Sequence, residues 1–332
     1  GSEMCIRDSH VCIIVYQERL FLMHVGKIFH LPYESRMVNI SIIGSGALGT
    51  FLAWKLAKKH EVTLICRESQ LAHLSSGRIH VLGERGGFAQ VNVATTIPKA
   101  TQLCILAVKS FDLKGAISLI QTFPGDFPLI FPQNGLRHLK IVKENFPNRG
   151  VFASVTYGAS LVEPGSVTFG GEGVLELSSP KLDLKVVDNI SRAFLDSNMN
   201  VKINKNPVQS VWKKAGVNCC INPLTAILEC KNGDLLRSSH VVGIMRRISF
   251  EVEEVAKKEN VPLEGIFNKT IEVCRKTGRN RSSMLQDILS KRKTEVRSLN
   301  VEVSRIGKEH GIDVLQNDLL GKLVLAKEKS YL

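Results

Sequence analysis

No apolar run in these 332 residues approaches the ~20 needed to cross a bilayer, which argues against a membrane-spanning protein or a membrane partner. The early stretch at 10–16 is too short, is followed at once by Gln17-Glu18-Arg19, and precedes no small-residue cleavage site. It therefore makes a poor signal peptide. Eight cysteines are present, at 5, 12, 66, 104, 219, 220, 230 and 274, yet none forms a Cys-x-x-Cys pair and no His cluster accompanies them. No zinc or other metal site is expected. Several sit in apolar runs such as Leu103-Cys104-Ile105-Leu106 and read as reduced thiols used as small core residues, which fits a cytoplasmic location. Repeats and low-complexity tracts are also lacking. Acidic charge is in short supply: 44 Lys and Arg against 31 Asp and Glu give +13, a balance that favours anionic partners. The basic residues of the second half are mixed with acids, without interleaved aromatics. Solvated helix faces and attraction for a polyanionic cofactor explain them better than nucleic-acid binding.

At ~150 residues per domain the length suggests two. Residues 1–36 carry no periodicity that continues into anything and open like translated adapter sequence, so a non-native or unstructured extension is expected there. From Met37 the pattern alternates. Short apolar runs at 38–43, 62–66, 103–108, 129–131 and 151–155 read as strands, and 47–59 carries Leu48, Phe51, Leu52 and Leu56 at helical spacing. Strands alternating with helices imply a parallel sheet. Two β-rich runs within 166–177 flank Gly170-Gly171-Glu172-Gly173 and read as a hairpin. After about Asn204 only helical patterns remain: a long one opening at Asn206-Pro207, an amphipathic one at 241–258, one starting at Pro262 and stopping at Gly278, and one with capping-box spacing at Ser283-Met284-Leu285-Gln286. The expected fold class is α/β, a Rossmann-type parallel-sheet domain over 37–204 followed by an all-α domain over 205–332.

Gly44-Ser45-Gly46-Ala47-Leu48-Gly49 is G-x-G-x-x-G between a strand and a helix. There the first glycine permits the tight turn, the second lets a pyrophosphate approach the backbone, and the third lets helix and strand pack closely. The second strand ends at Arg67, where an NAD site would carry a carboxylate; a guanidinium can hold a 2′-phosphate in a fork. Lys109 ends another strand at the same sheet edge and can add a second positive charge. NADPH is therefore the expected cofactor, with Glu68 keeping NAD as an alternative.

In Trp212-Lys213-Lys214-Ala215-Gly216-Val217-Asn218-Cys219-Cys220-Ile221-Asn222-Pro223, the residues Lys214, Asn218 and Asn222 share one helix face within about 80°. Asparagines among Val, Cys and Ile need hydrogen-bond partners, which a ligand rich in oxygen atoms would supply. A polar stripe facing solvent would explain the face equally well. Pro223 would break the ladder locally and can mark a bend.

From 37 nearly to its end the chain resembles the ketopantoate reductase (2-dehydropantoate 2-reductase) family. The resemblance is carried by 43–49, Gln133-Asn134-Gly135, 212–226, Ser282-Ser283-Met284-Leu285-Gln286-Asp287-Ile288 and Thr294-Glu295. It implies NADPH-dependent reduction of the 2-keto acid ketopantoate to pantoate, a step toward pantothenate and coenzyme A. It further implies that Lys214 is the general acid and Glu295 its acidic partner. Asn218, Asn222, Asn280 and Ser283 would bind the substrate's oxygens, Asn134 would lie near nicotinamide and substrate, and Arg67 and Lys109 would bind the 2′-phosphate. The chemistry of the residues agrees, because an ammonium beside a ketone both donates a proton and stabilises the developing alkoxide. Ligands would sit between the domains, beyond the carboxyl ends of the strands. A homodimer is compatible with the sequence.

Two departures stand out. The family's commoner His-Asn-Gly-Met-Gly reads Gln133-Asn134-Gly135-Leu136-Arg137, placing a bulky cation near the cofactor loop. After Glu295 the usual aromatic and Asn-Gly positions read Ser298-Leu299-Asn300-Val301. Both bear on substrate identity more than on reaction. A related hydroxy-acid dehydrogenase of different substrate and a non-catalytic NADPH-binding sensor are the rival readings; a sensor would need neither Lys214 nor Glu295.

Overall fold

The computed structural model describes residues 37–123 and 125–332, together with the strands β1 (Arg7–Asp8), β2 (Val11–Tyr16) and β3 (Arg19–Met23). The chain divides into two compact units, Gly1–Pro32 and Tyr33–Leu332. In the first, the three strands form an antiparallel sheet in sequence order. These strands lie within 1–36, the segment expected to be a non-native or unstructured extension. Two runs rich in β-branched and apolar residues are separated by only Gln17-Glu18, a connection short enough for a hairpin.

The second unit is built on an eight-stranded sheet. In chain order its members begin with β4 (Asn39–Ile43), helix α1 (Ala47–Leu56), β5 (Glu61–Ile65) and helix α2 (Glu68–Leu74). Strands β6 (Arg78–Leu82) and β7 (Gly87–Gln90) belong to a second sheet, and β8 (Asn92–Ala94) returns to the first. Then follow β9 (Leu103–Leu106), α3 (Leu113–Gln121), β10 (Leu129–Phe131), α4 (Arg137–Asn145) and β11 (Gly150–Val155). Strands β12 (Gly158–Glu163) and β13 (Ser166–Gly171) complete the second sheet, and β14 (Leu175–Ser178), α5 (Leu184–Asp196) and β15 (Val201–Ile203) complete the first. The large sheet runs β15-β14-β11-β10-β9-β4-β5-β8; β4, β5, β8, β9, β10 and β11 are mutually parallel, while β14 opposes β11. The chain leaves β4 toward β5 on one side and later returns to pair β9 on the other. That reversal opens a crevice at the carboxyl ends of the strands.

The glycine-rich run at 170–173 does not close a hairpin. β13 pairs with β12 and β6 in the four-stranded sheet, whereas β14 pairs with β11 and β15 in the large one. The run carries the chain from one sheet to the other, and at Gly173 a Cβ would lie 2.3 Å from the Tyr157 nitrogen. The tight hairpin is instead β12–β13, with Gly165 at positive φ in its turn. Helix α1 lies against this second sheet, with Phe51 stacked on Phe169, and is buried from Gly49 to Leu56. A helix so apolar all round belongs between layers.

The remainder is helical: α6 (Pro207–Leu228), α7 (Ser239–Lys258), α8 (Ile266–Lys276), α9 (Ser283–Leu289), α10 (Asn300–Glu309) and α11 (Leu315–Lys329). Pro207 takes the first helical position of α6, where its missing N–H costs nothing. α6 is the axis against which α7, α8, α9 and α11 pack, and it runs through Pro223 without ending. α8 starts at Ile266, after Gly265 at positive φ, and not at Pro262. The cap of α9 is one residue earlier than its spacing suggests: Ser282 Oγ accepts the Leu285 N–H at 3.1 Å, leaving Ser283 free. Secondary-structure class changes near 204, as expected, but packing has no seam there. One core takes in Leu106, Phe131 and Leu136 together with Trp212, Ile221 and Leu299.

Candidate active site

The turn after β4 shows why glycine recurs in it. Gly44 has φ +111°, and a Cβ there would lie 2.9 Å from the Ala107 oxygen. At Gly49 a Cβ would fall 1.8 Å from the Gly44 oxygen, so only glycine lets α1 pack this closely on β4. Gly46 differs: its φ of −77° suits any residue, and a Cβ would meet nothing within 4 Å. The space in front of it is open, which is what a pyrophosphate approaching the backbone requires. Ser45 donates to Gln70 Oε1 at 2.9 Å and fixes the loop against α2.

A cleft of about 1980 Å³ opens from this turn. It is too large for one small ligand, for which ~300–1,000 Å³ is usual. Every sequence-selected residue lines it except Gly49, whose place is at the helix–strand contact. Ala47 and Leu48 form its wall beside the turn.

The two cations expected to share a 2′-phosphate are separately engaged. Arg67, at the end of β5, is largely exposed and pairs with Asp112 at 2.8 Å. Lys109, just beyond β9, is paired with Asp287 of α9, across the cleft. Asp287 is 7 % exposed and takes a second cation, Arg292, at 3.4 Å. Burial pushes its carboxyl up; Lys109 and Arg292 pull it down, and Glu295 nearby adds to the rise. Arg137, expected near the cofactor loop, turns away to Glu302 of α10 at 3.0 Å and does not line the cleft.

On the opposite wall α6 presents Lys214, Asn218 and Asn222. The Lys214 ammonium has no hydrogen bond or ion pair among the described residues, and neither do the side-chain amides of Asn218 and Asn222. Burial pulls Lys214 down to about 8, while the carboxylates of Glu295 and Glu176 work in the other direction. Glu295 is close enough to act through space but is bonded elsewhere: it accepts the Ser110 N–H at 3.1 Å and the Asn134 amide at 2.9 Å. Its expected partnership with Lys214 is therefore electrostatic. Asn134 faces Glu295 while still lining the cleft. Asn280 and Ser283 stand exposed on the cleft rim, Asn280 held by its carbonyl, which accepts the Asn232 N–H at 3.0 Å. His138 is fully buried beside Phe152, and burial, helped by the Lys214 charge, pulls it down to about 3.

Four residues were not singled out from sequence. Asp287 lay inside the Ser-Ser-Met-Leu-Gln-Asp stretch, where an acid five residues after the capping serine faces back to the cleft. Ser110 acts through its backbone and its hydroxyl, which accepts from Ser298 at 2.7 Å. Glu176 looks like an ordinary strand residue, and Arg292 part of a charge run. The second departure is structural: the Ser298 oxygen accepts the Leu136 N–H at 2.8 Å, and Asn300 is buried, donating to the Cys219 oxygen and to Asn317.

Residues 40–181 match the family model "Ketopantoate reductase PanE/ApbA", and 206–328 match that of its C-terminal part. The 2-dehydropantoate 2-reductase of Listeria innocua is 30% identical over 276 residues, covering 78% of this chain and 86% of its own. That of Archaeoglobus fulgidus is 28% identical over 297 residues, covering 88% and 99%. Among solved structures, D-mandelate dehydrogenase in ternary complex with NADH and anilino(oxo)acetate superposes with a TM-score of 0.81 at 26% identity, covering 89% of this chain and 99% of that one. A PanE/ApbA family ketopantoate reductase from Ralstonia eutropha gives 0.79 at 25%, with the same coverage.

Proposed function

The chain belongs to the ketopantoate reductase family and is an oxidoreductase acting on a keto acid, and on that premise we propose that it reduces ketopantoate to pantoate with NADPH. The observation that carries the reading is Lys214: a half-buried, unpaired ammonium held near 8, on one face with two unpartnered asparagine amides, in the same cleft as the glycine turn. When bound, the nicotinamide supplies a hydride to the carbonyl carbon. Lys214 Nζ then gives its proton to the ketone oxygen, where the electron pair of the C=O π bond ends up. A charge that develops only in the transition state is where a fixed ammonium lowers a barrier most. Asn218 and Asn222 offer amide donors to the oxygens of the keto acid, with Asn280 and Ser283 closing the rim. Glu295 keeps Lys214 charged through space and ties the loops at Ser110 and Asn134 to the helical wall.

The glycine turn fits a dinucleotide's phosphates, and Arg67 fits its 2′-phosphate. Lys109 would reach that phosphate only by releasing Asp287, so its role here is to brace α9 against β9. The described cysteines are all free, in keeping with a cytoplasmic enzyme. A second reading keeps the reaction and changes the side group of the keto acid; its support is that the chain superposes as well on D-mandelate dehydrogenase (TM-score 0.81) as on the Ralstonia eutropha ketopantoate reductase (0.79). Initial rates with ketopantoate, phenylglyoxylate and 2-ketoisovalerate decide between them. A kcat/KM for ketopantoate at least tenfold above the others supports the proposal, and a higher value for an aryl keto acid supports the second reading.

A further inference from the structure

We propose that Asp112 sets how strongly this cleft prefers a 2′-phosphorylated nicotinamide dinucleotide, by competing with the phosphate for Arg67. The inference rests on the assignment of Arg67 as the 2′-phosphate reader and adds the group that tunes it. Arg67 follows β5 and Asp112 follows β9, and β4 lies between those strands. Their 2.8 Å pair thus crosses the strand that leads into the glycine turn, and both side chains line the cleft. Neither has another side-chain partner among the described residues. The Asp112 carboxylate accepts no N–H at the start of α3, so no capping hydrogen bond ties it to that helix end. Arg67 is exposed and Asp112 half-buried, at 71 % and 37 % of their side chains, so the two can separate without leaving a fully buried charge behind.

A phosphate monoester carries about −1.5 to −2 at pH 7. On arriving at Arg67 it meets a guanidinium already neutralised by Asp112, with Glu68 next in sequence adding a second carboxylate to the same wall. A ribose 2′-hydroxyl meets no such repulsion and can donate to a carboxylate. The fork that selects for phosphate is therefore opposed by an acid that tolerates its absence. At an exposed site, one carboxylate a few ångströms from a phosphate weakens its binding roughly tenfold at low salt, less as salt rises.

The test uses the full chain and two probes that contain no nicotinamide, adenosine 2′,5′-bisphosphate and 5′-AMP, with binding read by isothermal titration. In Asp112→Asn the preference for the bisphosphate should rise about tenfold at low salt, with 5′-AMP binding unchanged or weaker. In an Arg67→Ala background the same change should bring at most a small part of that gain, because the competition is for Arg67. Asp112→Ser, checked for an unchanged Tm, should behave like Asp112→Asn. An unchanged ratio in both Asp112 variants, while both probes bind, overturns the role of Asp112 and leaves the cofactor assignment standing. A full gain persisting without Arg67 also overturns it. Failure of the unaltered protein to bind either probe overturns the cofactor assignment and this inference with it.

Discussion

As the pH is raised past 8, the Lys214 ammonium should lose its proton. Burial sets that pKa near 8, with Glu295 and Glu176 opposing the fall. A proton donor works only in its protonated form, so reduction is sustained below this value and lost as pH rises through it. About nine-tenths of the enzyme is competent at pH 7 and about one-tenth at pH 9, so kcat/KM for the keto acid should fall roughly tenfold between them and about tenfold per further unit. His138 cannot produce this limb, because burial holds it neutral down to about 3. The assay is kcat/KM with cofactor saturating, over about pH 6 to 10, in constant-ionic-strength buffers. Two variants assign the limb. Lys214→Arg keeps the positive charge but is too weak an acid, and should give a rate lower by roughly 10²–10⁴-fold and flat across the range. Glu295→Gln removes a carboxylate that favours the ammonium, so its limb should move to lower pH. A wild-type profile flat to about pH 10, or a limb that survives unmoved in Lys214→Arg, would refute the assignment.

Gly46→Ala should leave Tm unchanged, since a Cβ there meets nothing, yet weaken NADPH binding by tenfold or more by filling the space a pyrophosphate needs. Gly49→Ala should lower Tm sharply or prevent folding, because its Cβ would sit 1.8 Å from the Gly44 oxygen; a normal melt would show that α1 is less tightly seated than described. Asp287→Asn should cost about 1–2 kcal/mol, discounted because Lys109 and Arg292 can rehydrate, read as a drop of a few degrees in Tm. Arg67→Ala should raise KM for NADPH roughly 10- to 100-fold and that for NADH far less; equal weakening of both would remove Arg67 as the phosphate reader.

The parallel sheet and the glycine turn were legible because each follows from a local pattern: continuous apolar runs for buried parallel strands, and a motif whose glycines have separate steric reasons. The second sheet was not. Its strands β7, β12 and β13 carry glycine, and its two short hairpins, β6–β7 and β12–β13, are joined only where β6 meets β13, remote in sequence, so pairing and not periodicity defines the sheet. The same limit explains the misread hairpin at 170–173, where flanking strands look contiguous but join different sheets. On α6, helical spacing put Lys214, Asn218 and Asn222 on one face, but spacing alone left open whether that face met solvent or the cleft it lines. What spacing could not supply was which acid meets which base. Lys109 finds Asp287, 178 residues away, and Asn134 finds Glu295, 161 residues away.

The account depends most on Lys214 acting as proton donor in a cleft that also holds NADPH, and a single comparison addresses it. Wild type and Lys214→Ala are titrated with NADPH, then mixed with ketopantoate while NADPH oxidation is followed. The prediction is an NADPH dissociation constant within about threefold of wild type and turnover lower by roughly 10²–10⁴-fold. Turnover of ketopantoate by Lys214→Ala at near the wild-type rate would contradict it.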